Sequence, residues 1–130
     1  MAPLVVWADL PVTDLARARA FYSKLLGYEI KPFPGMEDRM ALLMRPDDTE
    51  SQVGVDLSAN PVTQPSSTHG AVIYLSANGD IDGMLERAVE AGGSIHAPKQ
   101  NFGELGGWLA WIIDSEGNLI GLQQPLAEGE

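Results

Sequence analysis

VTDLARARAFYSKLLGYEI, residues 12–30, is the stretch on which the fold turns. Thr13-Asp14 offers an N-cap, with Asp14 the better placed of the two. Ala18, Phe21, Tyr22 and Leu25 then fall at i, i+3, i+4 and i+7, which makes one apolar helical face over about residues 14–26. Gly27 stops the helix, and Tyr28-Glu29-Ile30-Lys31 opens a strand. Upstream, Leu4–Leu10 is β-branched and apolar and then alternates, so it too reads as a strand.

The same plan recurs downstream. Ala71–Leu75 is strand-like and Asp80 is an N-cap. Ile81, Met84, Leu85 and Ala88 form one face of a helix over about 80–91, and Gly92-Gly93 ends it before Ser94–Pro98. Asp14 to Asp80, Gly27 to Gly93 and Pro32 to Pro98 are each 66 residues apart, the signature of an internal repeat. Each half adds two more strands. They are Met40–Met44 and Val53–Leu57 around the polar loop Pro46–Glu50, then Trp108–Ile113 and Asn118–Gln123 around the turn Asp114–Gly117. The expected fold class is α+β, with two βαβββ modules at 1–58 and 70–130. Residues 59–69, rich in Pro, Ser and Thr, form the linker, and the whole makes one compact domain.

Composition narrows the function. With 130 residues and 45% apolar content the chain can build a real core. Its net charge of −10, without a Lys/Arg cluster, disfavours nucleic acid and anionic membranes. No segment has the run of about 20 apolar residues that a membrane helix needs. The absence of cysteine removes disulfides, thiolate nucleophiles and cysteine metal sites. With no signal-peptide pattern at Met1–Leu4, the expected location is cytoplasmic.

Residues 12–30, together with VEAGGSIHAPK (89–99) and GGWLAWIIDSEGNLIGLQQP (106–125), resemble the vicinal oxygen chelate superfamily of glyoxalase, bleomycin-resistance and extradiol-dioxygenase proteins. The resemblance covers nearly the whole chain. It implies two modules whose sheets curl into a half-barrel cup, commonly within a homodimer. The cup would hold either a divalent metal or only an organic ligand. Fold analogy does not choose between them; the side chains must.

The four strand positions that carry metal ligands in metal-dependent members correspond to Trp7, Asp56, either Ile73 or Val72, and Gly121. The choice at the third depends on whether Asn78-Gly79 holds a local insertion. An indole, an aliphatic chain and a glycine offer a metal no lone pair, so neither metal nor other cofactor is expected. His69 and His96 match no ligand position, and Gly103–Gly107 reads as a flexible connection rather than a phosphate cradle. A bare glycine inside the strand Asn118–Gln123 then asks for a reason. Either its missing side chain leaves room for a ligand, or it marks a bulge or tight packing against a helix.

Alternation sorts the faces. Val6, Ala8 and Leu10 would lie under the first helix, and Val5, Trp7 and Asp9 would face the cup with Asp56. If the insertion is local, Val72 and Tyr74 face in while Ala71, Ile73 and Leu75 back the helix. Gln123 shares the face of Gly121, and Met40, Leu42, Met44 and either Trp108 or Trp111 add apolar wall. The expected ligand-binding set is Trp7, Asp9, Met40, Asp56, Tyr74, Trp111, Gly121 and Gln123. It suits a small aromatic or cationic organic molecule bound without a metal. Two other readings stand beside it. One is a lyase, isomerase or dioxygenase using Asp9 or Asp56, with or without a divalent metal. The other is an accessory subunit whose function is an interface.

Overall fold

The computed structural model describes residues 4–45, 47–48, 53–59 and 62–130. Parts of the Pro46–Glu50 loop and of the 59–69 stretch, and Met1–Pro3, lie outside the described residues. The chain divides into two compact units, Met1–Pro65 and Ser66–Glu130. The fold is mixed α+β, with two sheets and three helices among the described residues.

The first unit runs β1 (Trp7–Pro11), α1 (Leu15–Leu26), β2 (Met40–Leu42) and β3 (Gly54–Ser58). Its sheet has the order β1-β3-β2, with β1 parallel and β2 antiparallel to β3. Asp14 caps α1 by accepting the backbone N–H of Arg17 at 3.0 Å. Gly27 closes the helix at φ 82°, a conformation that favours glycine, and donates to the Ser23 carbonyl at 2.9 Å. Ala18, Phe21, Tyr22 and Leu25 are the buried face, as the spacing predicts. They pack with Leu10, Ile30, Ala41, Leu43 and Leu57, all buried.

Tyr28–Lys31 does not form the expected strand. The chain instead meets β2 at the single bridge Pro32–Ala41, where Leu42 donates to the Lys31 carbonyl and Phe33 to that of Met40. Pro32 and Pro34 bring no N–H to a ladder, which limits the pairing to this short contact. Val6, expected under α1, is 54% exposed because regular alternation begins only at Trp7.

The second unit runs β4 (Ile73–Ser76), α2 (Ile81–Glu90), β5 (Ser94–Asn101), α3 (Gly103–Gly106), β6 (Trp108–Ile113) and β7 (Leu119–Gln124). Its sheet order is β4-β7-β6-β5, with β4 parallel to β7 and the other neighbours antiparallel. Asp80 caps α2 through the Gly83 N–H at 3.1 Å, and Ile81, Met84, Leu85 and Ala88 are buried. The glycine-rich stretch read as a flexible connection contains the one-turn helix α3, closed by Gly107 donating to the Gly103 carbonyl. Ala71, expected behind the helix, is exposed ahead of β4.

The Asp114–Gly117 turn is tied from inside. Asp114 Oδ1 accepts from the backbone N–H groups of Glu116 (2.8 Å) and Asn118 (2.9 Å), and Asp114 Oδ2 accepts from Asn118 Nδ2 (3.1 Å). Asn118 Oδ1 in turn accepts from the N–H of Ser66, and Leu119 donates to the Ser66 carbonyl. The end of the linker segment is thereby fastened to the start of β7.

The two parallel strand pairs match at a spacing of 65 residues. The last ladder bond of the first runs from Val12 N–H to the Ser58 carbonyl, and that of the second from Ala77 N–H to the Gln123 carbonyl. The helix caps are 66 apart, so the second unit holds one extra residue between strand and helix. Asn78 and Gly79, at φ 52° and 80°, are where it sits. Asp9 opposite Asp56 therefore corresponds to Tyr74 opposite Gly121, and Trp7 corresponds to Val72 rather than Ile73. No helix among the described residues is long and apolar enough to cross a membrane.

Candidate functional site

On the first unit, the sheet face away from α1 carries Trp7, Asp9, Asp56 and Met40. Trp7 and Asp9 alternate with buried Leu10 on β1. Asp56 stands opposite Asp9, and Leu42 and Met40 stand opposite Asp56 and Ser58. Trp7 is 44% exposed, and its ring lies over Gly54, its partner across the strands. A Cβ at Gly54 would overlap the indole. Phe33 meets Trp7 edge-to-face with centroids 6.1 Å apart, completing an aromatic corner.

Asp56 is the unusual group here. Its side chain is fully buried while Asp9 is exposed. Trp7 Nε1 donates to Asp56 Oδ2 at 3.3 Å, and Oδ1 has no N–H donor. A buried carboxylate oxygen without a donor is costly, and a proton relieves it. Burial first, then hydrogen bonding and charge repulsion from the adjacent Asp9 carboxyl, raise the Asp56 pKa to about 7, with the Trp7 N–H pulling the other way.

On the second unit, Tyr74, Trp111, Gly121 and Gln123 share the face away from α2. Tyr74 and Trp111 flank Gly121 from β4 and β6. Trp111 Nε1 donates to the Tyr74 hydroxyl at 3.0 Å, and the rings meet edge-to-face at 6.3 Å. Phe102 extends the group, 5.8 Å from Trp111. Tyr74 and Phe102 are 47% and 49% exposed, so the shelf is open to solvent. Gln123 is committed locally, its amide donating to the Gly106 carbonyl at 3.1 Å. Trp108 belongs elsewhere, under the Lys99 ammonium at 4.7 Å, which leaves Trp111 as the wall residue.

Gly121 is explained by this shelf. Its missing side chain does not leave a void: the Tyr74 ring fills that place, and a Cβ there would overlap it. A bulge is also excluded, because β6 and β7 pair without a shift from Trp108–Gln124 to Ile113–Leu119.

These positions do not fit a metal. Trp7, Val72 and Gly121 offer no side-chain lone pair, and Asp56 already holds the Trp7 N–H. Among the described residues no three His, Cys, Asp or Glu side chains are grouped to hold an ion. Phe33 and Phe102 were not singled out by the sequence, since each sits in an irregular segment where no period assigns a face.

The family model described as Glyoxalase/Bleomycin resistance protein/Dioxygenase superfamily matches residues 4–122. The chain belongs to this superfamily. Two mycobacterial proteins, from Mycobacterium bovis and Mycobacterium tuberculosis and each called putative glyoxylase CFP32, are 26% identical to it over 120 residues. The match covers 91% of this chain and 44% of theirs, so the chain spans less than half the length of these relatives. Among solved structures of the superfamily's fold, a glyoxalase/bleomycin resistance protein from Albidiferax ferrireducens T118 aligns with TM-score 0.70 at 16% identity, covering 92% of this chain and 97% of that one. TnmS3, an antibiotic binding protein from Streptomyces sp. CB03234, aligns with TM-score 0.66 at 26% identity, covering 95% and 97%.

Proposed function

We propose that this superfamily member binds a small, flat organic molecule without a metal, on aromatic surface that its sheets leave open. The observation that carries the reading is the shelf of Tyr74, Trp111 and Phe102, joined edge-to-face around Trp111, with Tyr74 and Phe102 half-exposed and Tyr74 seated over Gly121. Rings held rigidly by one another and by a side-chain hydrogen bond present stacking area at little entropic cost, the usual chemistry of a small-molecule site. The likeness to an antibiotic binding protein at 26% identity supports binding rather than turnover. The binding residues are taken unit by unit, Trp7, Asp9, Met40 and Asp56 on the first and Tyr74, Trp111, Gly121 and Gln123 on the second, in a cytoplasmic homodimer built from modules 1–58 and 70–130.

The test is a screen of planar aromatic compounds, antibiotics among them, against the purified chain, read on the three indole N–H resonances. Binding should move the Trp111 signal and be lost in Trp111→Ala, while elemental analysis finds no stoichiometric Zn, Ni, Mn or Fe. About one metal per chain, or binding unaffected by Trp111→Ala, defeats the reading. General-base catalysis by Asp9 or Asp56 is the second reading, favoured by the Asp56 pKa of about 7. A shared oligomeric state is checked by light scattering.

A further inference from the structure

We propose that the face of the first unit bearing Trp7, Phe33, Asp9 and Asp56 is a subsite for an organic cation, a protonated amine or amidinium on an apolar body. The proposal rests on the small-molecule reading above and assigns the first unit's face, taken by itself, a ligand of defined charge. Two carboxyls face each other across β1 and β3, one exposed and one buried. The buried one has an oxygen with no N–H donor, which a ligand N–H would satisfy once the proton it shares with Asp9 is lost. The other oxygen already takes the Trp7 indole N–H, so the ring is fastened beside the charge.

Among the described residues, no cation is one of the groups that act on Asp56. Across β3 from Asp9, β2 brings Leu42 opposite Asp56. On α1, Arg17 is bonded to Thr13 and Arg19 to the Ile30 carbonyl, while Lys24 lies on the last turn. The charged neighbour that acts on Asp56 is Asp9, of the same sign. An aromatic corner beside two carboxyls is the combination that cation–π contact and charge-assisted hydrogen bonding both reward. The corresponding place in the second unit shows the contrast: Tyr74 and Gly121 replace the two acids, and there the ring fills the space itself. Charge selection thus belongs to the first unit alone.

Benzamidine and its neutral isostere benzamide test this on the full chain at about pH 8, above the value of about 7 at which Asp56 loses its proton. Benzamidinium should bind about tenfold or more tightly than benzamide and move the Trp7 indole N–H resonance. Asp9→Asn, an exposed and therefore structurally mild change, should bring benzamidinium down to the benzamide level. Asp56→Asn should do the same while circular dichroism shows an unchanged fold. Equal binding of the two probes, failure of both to bind, or benzamidinium binding retained in Asp9→Asn overturns the cation subsite. If planar neutral compounds still move Trp111 in that case, the small-molecule reading survives and only the charge selection falls.

Discussion

The ring of Tyr74 occupies the place where a side chain on Gly121 would stand. The two residues face each other across a parallel strand pair, so neither can move away without disturbing the ladder. Gly121→Ala should therefore destabilise the protein by about 1–3 kcal/mol, the range for forcing atoms into a filled site. Removing the ring should relieve it: Tyr74→Ala with Gly121→Ala should cost less than the two changes summed. Thermal unfolding of the three variants decides, and simple additivity would show that the glycine answers to something other than Tyr74.

Gly54 stands in the same relation to Trp7, with the Met44 thioether methyl also close by. Gly54→Ala should tilt the indole away from Asp56 and break its 3.3 Å hydrogen bond. The expected readouts are a displaced Trp7 Nε1–H resonance and a stability loss again of about 1–3 kcal/mol. An unmoved indole resonance would mean that the ring is not seated on the glycine.

Much of this was legible in the residues, for particular reasons. Asp14, Gly27 and the Ala18-Phe21-Tyr22-Leu25 face act within a few residues of one another, so local chemistry fixes α1. The same holds for Asp80 and α2. The Tyr28–Lys31 strand failed because its pairing is cut short by the two prolines that flank Phe33. The glycine in β7 was conspicuous, but its occupant lies 47 residues upstream, at Tyr74. Alternation placed Trp7 with Asp9 on one face; which residue meets which across the strands is a tertiary fact. The aromatic rings of Phe33 and Phe102 sit in irregular segments, where periodicity is silent.

Asn118 should prove a structural weak point in the second unit. It is buried, supplies a donor to Asp114 at 3.1 Å and accepts the Ser66 N–H at 3.2 Å. Asn118→Ala removes both bonds and should cost about 1–3 kcal/mol. Asn118→Asp should be worse at neutral pH, because it sets a second buried carboxylate against Asp114. Denaturant unfolding at pH 7 gives the order; an aspartate variant as stable as wild type would contradict the buried geometry.

Stability should also depend on pH through Asp56. Its carboxyl ionises at about 7 in the folded chain, against an ordinary value of 3.8, because of burial and then of Asp9. Below about pH 4 both folded and unfolded chains hold this proton, and the group's contribution to stability is fully present. Between about 4 and 7 the folded chain holds the proton and the unfolded chain does not, so stability falls as pH rises. Above 7 both have lost it and the contribution levels off. The full swing is no more than about 4 kcal/mol, and the coupling to Asp9 spreads it over a wider range. Asp56→Asn keeps the neutral shape without the titration, so the difference between wild type and variant isolates the group. Stability measured by urea unfolding from pH 4 to 8 should fall more steeply for wild type than for Asp56→Asn. Parallel curves, or a wild type that gains on the variant as pH rises, would mean that Asp56 is charged in place and held by a partner other than Trp7.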